Sequence, residues 1–259
     1  MRFSEYTEIA LSAAEAGAGE LMKYYNKSLK IDYKGEIDPV SQADRNSQKK
    51  IIKTIKKFFP EHGILAEEDG INDVKKDYCW IIDPLDGTVN FVHGVPLFCV
   101  SVALRRGNEI ISGVIYSPVM KEVFVAENNK GAYLNGKKIE VSGIKKLIRA
   151  LPVTGFPYYV SKKNGRVIKN FTNIMTCAQG IRRLGSAALD LAYVACGRFD
   201  FFWEEGLKPW DVAAGILLVK EAGGVVSDYS GVSDCIFKDT ILASNNRTIH
   251  KKVLDIIDE

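Results

Sequence analysis

The sequence predicts an α+β fold in which two sheets are sandwiched between layers of helices. Three observations support this class: two helical patterns open the chain, strands joined by tight turns follow, and helices alternate with short strands in the second half. The chain has 259 residues, 46% of them hydrophobic, which is enough to bury a large core without disulfides. We expect one domain over residues 1–259, with 1–147 and 148–259 as its lobes if it divides.

The first part of the chain predicts two helices. An Ala-rich helical pattern covers Phe3–Tyr25, and a short extended segment, Leu29–Tyr33, follows it. Asp38-Pro39 ends that segment and leads into an amphipathic helix over Val40–Phe59, which Pro60 closes. The basic residues of this helix alternate with isoleucines, which indicates a solvated helix face and not a nucleic-acid site.

The middle of the chain predicts an antiparallel meander. Gly63–Glu67 and Tyr78–Asp83 are typical of short buried strands. Phe98–Arg105, Glu109–Tyr116 and Glu122–Glu127 are longer, alternate in hydrophobicity and are separated by Gly- and Pro-containing turns. Adjacent strands joined by tight turns pair in antiparallel fashion.

The second half predicts alternating helices and strands. Helices are expected at Ser161–Thr176, Ala187–Cys196, Pro209–Ala222 and Thr248–Ile257. Strands are expected at Gly180–Leu184, Phe199–Trp203, Val225–Asp228 and Thr240–Ala243.

Composition excludes several classes of protein. The net charge of +3 is small and is not concentrated in one stretch, so nucleic acid is not an expected partner. No run of about 18 apolar residues predicts a membrane span. The five cysteines are odd in number, widely spaced and far from the histidines, which indicates reduced thiols in a cytoplasmic protein and no zinc site.

The segment Trp80–Asn90 carries the strongest chemical signal. An apolar strand leads into Asp83, and Pro84 is expected to stop it. Asp86-Gly87 then forms a turn, an arrangement that by itself needs no function. Two carboxylates three residues apart at the end of a buried strand, however, favour protonation unless a cation compensates them. Mg²⁺ is the cation that carboxylate and carbonyl oxygens suit.

Three further carboxylates occur in comparable positions, and each has a simpler explanation when taken alone. Glu67 lies at another strand end, where an acidic surface loop is common. Asp211 is in the first turn of a helix, where it complements the dipole, and Asp44 is compatible with an exposed helix position. Taken together with the Asp83 region, these acids fit metal-assisted phosphoryl hydrolysis.

These residues resemble the inositol monophosphatase family. The motifs that carry the resemblance are Ala66-Glu67-Glu68, Asp83-Pro84-Leu85-Asp86-Gly87-Thr88 and Trp210-Asp211-Val212-Ala213-Ala214-Gly215, in that order. The resemblance extends over almost the whole chain and includes Asn90-Phe91, Lys130–Gly136, Gly185–Ala188 and Glu221–Gly224.

The resemblance implies a layered α-β-α-β-α sandwich of the inositol monophosphatase and fructose-1,6-bisphosphatase type. It also implies Mg²⁺-dependent hydrolysis of a phosphate monoester with two or three ions. Glu67, Asp83 and the Leu85 carbonyl would hold the first ion. Asp83, Asp86 and Asp211 would hold the second, and a third, weaker ion would lie near Glu67.

The same resemblance assigns the remaining site residues. Thr88 and Asp44 would orient the nucleophilic water and help to take its proton, with Glu67 sharing in catalysis. The backbone N–H groups of Gly87 and Thr88 would bind the phosphate. The other residues expected to contact the substrate are Asp86, Gly185, Ser186, Ala187, Glu204 and Asp211.

The substrate stays open between three classes. Glu204 and the compact Gly185–Ala188 stretch favour inositol 1-phosphate, a phosphorylated cyclitol. Arg182 and Arg183 offer a site for a second phosphate, as fructose 1,6-bisphosphate or a 3′(2′),5′-bisphosphate nucleotide would need. The segment Glu204–Pro209 resembles family members of broader specificity that also act on fructose 1,6-bisphosphate.

Two further alternatives change the mechanism or the class. Haloacid dehalogenase-type phosphatases form an aspartyl phosphate at Asp-x-Asp-Gly-Thr, but Asp83 and Asp86 are three residues apart and not two. Some bacterial members of the resembled family bind the transcription machinery, so an interaction protein is the other alternative. The resemblance also implies lithium inhibition and a homodimer, which the Ala-rich helices would suit.

Overall fold

The computed structural model describes residues 3–27, 31–33, 39–68, 73–157 and 165–257. The helices in these residues are α1 (Glu5–Leu21), α2 (Gln42–Phe58), α3 (Thr88–Val92), α4 (Gly165–Met175), α5 (Ala187–Ala195), α6 (Pro209–Glu221) and α7 (Arg247–Leu254). The strands are β1 (Ile31–Tyr33), β2 (Pro39–Ser41), β3 (Gly63–Ala66), β4 (Tyr78–Asp86), β5 (Cys99–Arg106), β6 (Glu109–Ser117), β7 (Glu122–Glu127), β8 (Gly131–Leu134), β9 (Lys137–Ile139), β10 (Pro152–Thr154), β11 (Phe201–Glu205), β12 (Val225–Ser227) and β13 (Thr240–Ser244).

Two large sheets organise the molecule. The first contains seven strands in the sequential order β3 to β9, with β3 and β4 parallel and the other pairs antiparallel. The second contains four strands in the order β10-β11-β13-β12, and β1 and β2 form a separate hairpin. The predicted antiparallel meander is therefore confirmed, and β8 and β9 extend it.

Helices α1 and α2 cover one face of the seven-stranded sheet. The side chains of each strand alternate between the two faces of the sheet. In β4, Trp80 and Ile82 join the core beneath α1 and α2, whereas Cys79 and Ile81 face the opposite core. Four of the five alanines of α1, namely Ala10, Ala13, Ala14 and Ala18, are buried within this first core. They consequently give no support to a dimer interface, and the expected homodimer rests on the resemblance alone.

Helices α5 and α6 form a central layer between the two sheets. They approach closely where α6 carries Gly215, because a Cβ there would lie 2.5 Å from Leu191 Cβ on α5. On the far side of the four-stranded sheet, α4 and α7 cover an outer core. Strand β11 shows the change of face, since Phe202 joins the central core while Phe201 and Trp203 join the outer one. These five layers confirm the α-β-α-β-α arrangement.

Most predicted elements are confirmed, with ends that differ by a few residues. The predicted starts at residues 29–30 and 161–164 lie outside the described residues. The expected strand at Gly180–Leu184 is wrong, because this segment makes one bridge, Arg182 to Val153, before it turns at Gly185 with φ +89° to begin α5. The short strands β2, β8, β9 and β10 are absent from the sequence prediction.

No helix in the described ranges has both the length and the apolar character needed to cross a bilayer.

The close contact between α5 and α6 predicts that Gly→Ala substitutions at two helical positions change the free energy of unfolding in opposite directions. We expect Gly215→Ala to lower the free energy of unfolding by about 1–3 kcal/mol, since the new methyl group overlaps Leu191. Gly19→Ala on α1, where a Cβ meets nothing within 4 Å, should raise it by about 0.5–1 kcal/mol through helix propensity. Urea denaturation measures both values, and a Gly215→Ala variant at least as stable as the wild type would contradict the close packing.

Candidate active site

One cavity of about 490 Å³ gathers most of the predicted site residues. It lies where β3 and β4 end and where α5 and α6 begin. The predicted residues that line it are Glu67, Asp83, Leu85, Asp86, Gly87, Thr88, Gly185, Ser186, Ala187, Glu204 and Asp211. Asp44 is the exception: its side chain is 1% exposed on α2, outside the lining, and it reaches the site through Thr88.

A bulge in β4 brings Asp83 and Asp86 to the same cavity. Asp83 pairs with Ser101 and Asp86 with Cys99, so β4 advances three residues while β5 advances two. Residues three apart in a regular strand point to opposite faces of the sheet. The extra residue in the bulge brings Asp83 and Asp86 to the same face. The prediction that Pro84 stops the strand is wrong, because proline is tolerated at a bulge, where it need not donate to the ladder.

The carboxylate of Asp86 is held by the start of α5. Ser186, the N-cap residue, donates its hydroxyl to Asp86 Oδ2 at 2.6 Å, and the backbone N–H of Ala188 donates to the same oxygen at 2.7 Å. Backbone N–H groups in the first turn of a helix have no partner within the helix, and the helix dipole favours an anion there. Asp86 therefore links the end of β4 to α5.

The position of Glu67 is set by a side chain of α2. Gln48 donates its amide to the Glu68 carbonyl at 2.6 Å and accepts the Glu68 N–H at 2.8 Å. On the other side, the Glu67 N–H donates to the Ile82 carbonyl of β4 at 3.3 Å. Gln48 and Glu68 are both buried. The simpler explanation for Glu67, an acidic surface loop, is therefore wrong, because the chain after β3 is fixed by these hydrogen bonds.

The hydroxyl of Thr88 connects the loop after β4 to α2. Thr88 Oγ1 lies 3.0 Å from the Leu85 carbonyl oxygen and 3.4 Å from Asp44 Oδ1, so it can donate to either. The Leu85 N–H donates to Asp83 Oδ1 at 2.9 Å, which orients that carboxylate. Asp44, expected to be compatible with an exposed position, is instead buried beside this hydroxyl.

Gly87 allows the chain to turn between β4 and α3. Its φ of +91° is in the left-handed region, and a Cβ would come within 2.9 Å of the Leu97 carbonyl. Asn90 on α3 donates to the carbonyls of Leu97 and Leu184 at 2.7 and 2.8 Å. These bonds fix the turn against both neighbouring segments.

The acids of the cavity raise one another's pKa values. Burial raises the pKa of Asp83 well above that of an ordinary aspartate, and three neighbouring carboxylates add to the shift. Burial also raises the pKa of Asp211 well above the usual range, with the charge of Asp86 as the next cause. The pKa of Asp86 is raised by burial, although the hydrogen bonds from Ser186 and Ala188 oppose this.

A second pair of acids lies at the other end of the cavity. Glu204 at the end of β11 and Asp190 on α5 are both buried. Burial raises the pKa of each well above its ordinary value, and the charge of Glu204 adds to the shift at Asp190. The guanidinium of Arg183, which is exposed, lies over Gly185 and lowers both pKa values in part.

The donor set fits a hard divalent cation. Carboxylates and a backbone carbonyl, that of Leu85, line one end of the cavity, and these are the ligands that Mg²⁺ prefers. Within the described ranges no three Asp, Glu, His or Cys side chains already form a closed ligand group. The acids instead face a shared space and repel one another, and a cation in that space would relieve the repulsion.

Comparison with known proteins agrees with this chemistry. The sequence profile of the inositol monophosphatase family matches residues 3–259. The chain belongs to this family. This inositol monophosphatase family member is accordingly a phosphoric monoester hydrolase, and metal dependence and lithium sensitivity are general properties of its family.

Individual relatives are similar along their full length. The inositol-1-monophosphatase of Mesorhizobium japonicum is 42% identical over 248 residues, which cover 95% of this chain and 93% of that protein. Nus factor SuhB of Pseudomonas aeruginosa is 43% identical over 92% of this chain and 91% of its own. The crystal structure of the extragenic suppressor protein suhB from Bartonella henselae superimposes with a TM-score of 0.93 at 41% identity, covering 99% of both chains.

Several residues of the cavity were not singled out from the sequence of this inositol monophosphatase family member. Asp190 and Lys208 line the cavity, as does the segment Gly155-Phe156-Pro157 after β10. Gly155 lies against the carboxylate of Glu204, where a Cβ would meet its oxygens. Asp190 lies two residues after the Gly185–Ala188 motif and four positions beyond Ser186. That helical spacing is the one signal in the sequence that could have identified it.

The raised pKa values predict how stability depends on pH. Because the folded form holds these protons more tightly than the unfolded chain, stability without divalent cations should fall as pH rises above about 4 through the raised values. Asp83→Asn should therefore raise Tm at pH 8 in chelator by about 3–10 °C. It should also lose most of the stabilisation that Mg²⁺ gives the wild type.

Differential scanning calorimetry with and without Mg²⁺ measures these values, and Asp234→Asn is the matched control because Asp234 is exposed and outside the cavity. A lower Tm for Asp83→Asn in chelator at pH 8 would contradict the repulsion between the carboxylates.

Proposed function

We propose that this phosphatase hydrolyses inositol 1-phosphate to inositol and phosphate in a Mg²⁺-dependent reaction. The observation that carries the proposal is the meeting of four carboxylates in one cavity. One follows the end of β3, two belong to β4 and one to α6, and the other end of the cavity contains the buried acids Glu204 and Asp190. The four carboxylates belong to Glu67, Asp83, Asp86 and Asp211. The similarity to relatives named inositol-1-monophosphatase supports the choice of substrate.

The residues proposed to hold the ions are those that the family resemblance implies, and their meeting in one cavity supports this choice. Glu67, Asp83 and the Leu85 carbonyl form one set, and Asp83, Asp86 and Asp211 form the other, with two or three ions in total. Mg²⁺, when bound, supplies positive charge that increases the acidity of water and stabilises the attacking and leaving oxygens. The protein's part is to hold the ligands in position, which it does through Gln48, Ser186 and the bulge in β4.

Proton transfer is assigned to Thr88 and Asp44. The Thr88 hydroxyl can accept a hydrogen bond from the attacking water while it donates to Asp44 Oδ1, 3.4 Å away. Asp44 is buried and close enough to take the proton along this path. The N–H groups of Gly87 and Thr88 at the start of α3 are proposed to bind the phosphate oxygens.

The leaving group is proposed to contact Gly185, Ser186, Ala187 and Glu204. The charges at this end favour a neutral polyol over a second phosphate. Arg183 lines the cavity and is exposed, whereas Arg182 does not line it. Of the two arginines that were candidates for a second phosphate site, the cavity therefore contains one, and the buried acid Glu204 faces it.

Substrate preference is tested by comparing inositol 1-phosphate with fructose 1,6-bisphosphate and a 3′(2′),5′-bisphosphate nucleotide. We expect kcat/KM to be highest for inositol 1-phosphate in the presence of Mg²⁺, and phosphate release to cease in excess chelator. The measurement is phosphate release by the purified enzyme with each substrate. A higher kcat/KM for either bisphosphate would overturn the substrate, and full activity in chelator would overturn the Mg²⁺ requirement.

A second candidate function is binding to the transcription machinery. It is favoured by the 43% identity to a protein named Nus factor SuhB. An interaction of this kind has no need of the carboxylates in the cavity, so the two functions separate by substitution.

We expect Asp86→Asn and Asp211→Asn each to reduce kcat by at least about 100-fold while the fold is kept. The amide oxygen of asparagine can still accept the N–H bonds that Asp86 receives from Ala188 and Asp211 from Lys208. Activity and circular dichroism measure the two effects. A cellular phenotype of the gene that survives either substitution would support the interaction role. Undiminished phosphatase activity would refute the assigned ligands.

A further inference from the structure

Asp190 and Glu205 are the two acids of the cavity to which the proposed reaction assigns no role, and Glu205 already forms an ion pair with Arg166. Asp190 lies in the first turn of α5, and the residue is 1% exposed. Its Oδ1 atom is buried and has no hydrogen-bond partner among the described residues. The residue nevertheless lines the cavity, at the end that also contains Glu204.

An unsatisfied buried carboxylate is costly to keep. Leaving a buried polar group without a partner costs about 1–3 kcal/mol, and more when the group is charged. Every residue of α5 is buried, and Asp190 is the one charged side chain among them. Groups retained against stability in this way are concentrated at functional sites.

The charges around Asp190 determine which substrate groups can bind beside it. Glu204 is a second buried acid in the same part of the cavity, and the nearest cation there, Arg183, is exposed and therefore screened by solvent. Two acids against one solvated guanidinium repel a second phosphate group. They attract a group that donates hydrogen bonds, such as the hydroxyls of a polyol.

We propose that Asp190 is a specificity-determining residue that accepts a hydrogen bond from a hydroxyl group of the leaving alcohol and disfavours substrates with a second phosphate. This inference rests on the proposed function, since it concerns the alcohol part of the same substrate. Asp190 acts at the end of the cavity away from the reacting phosphate, so its effect falls on binding of the alcohol.

Asp190→Asn tests this, because asparagine keeps the size of the side chain and removes its charge. KM for inositol 1-phosphate should rise about tenfold, the equivalent of exchanging a charge-assisted hydrogen bond for a neutral one. The ratio of kcat/KM for inositol 1-phosphate to that for fructose 1,6-bisphosphate should fall at least tenfold. Phenyl phosphate has no hydroxyl group, so its kcat/KM should fall by a factor at least fivefold smaller than the factor for inositol 1-phosphate. Tm in chelator should rise.

Asp200→Asn is the matched control. Asp200 is also buried, but it lies outside the cavity and accepts hydrogen bonds from Ser142 and from the Leu151 N–H. This substitution should lower Tm and leave the ratio between the two substrates unchanged.

Two results would overturn the role of Asp190: an unchanged substrate ratio in Asp190→Asn, or equal losses with inositol 1-phosphate and phenyl phosphate. A wild-type enzyme that prefers fructose 1,6-bisphosphate would instead refute the proposed substrate. The role of Asp190 would then still be decided by the ratio of variant to wild type.

Discussion

The site depends on one interaction, the capping of α5 by the carboxylate of Asp86. This residue belongs to the seven-stranded sheet, whereas the helix belongs to the central layer, so the bond joins parts of the chain that are 100 residues apart. It aligns Ser186 and Ala187 with the end of β4, and it satisfies N–H groups that the helix cannot satisfy itself. The end of the cavity proposed to bind the alcohol and the end proposed to bind the ions are consequently held in one geometry.

The same cavity is a place of electrostatic strain. Seven buried or half-buried acids line it. Burial raises the pKa of four of them well above the ordinary range; these four are Asp83, Asp190, Glu204 and Asp211. A large core of three clusters surrounds the strained region and supplies the stability that it lacks. Function and stability are thus assigned to different parts of the molecule, which is the usual relation in enzymes.

The parts that were predictable from the sequence are those encoded locally. The strand-to-turn segment from Asp83 to Thr88 is contiguous, so its acids could be identified together, and the long amphipathic helices and the meander have clear periodicity. The bulge at Pro84 was missed because proline is normally a strand breaker, and only pairing with β5 shows that the strand continues. The role of Gln48 and the burial of Asp190 depend on contacts between distant segments, which a single sequence does not display.

The hydrogen bonds of Gln48 also affect the edge of the seven-stranded sheet. Strand β3 is the edge of the seven-stranded sheet, and an open edge can recruit a strand from another chain. The amide of Gln48 satisfies both the N–H and the carbonyl of Glu68, and the Asp73 N–H occupies the carbonyl of Ile64. The backbone groups of Glu68 and the carbonyl of Ile64 therefore already have hydrogen-bond partners within the chain. The contact that positions Glu67 thus also occupies backbone groups, just beyond β3, that an added strand would need.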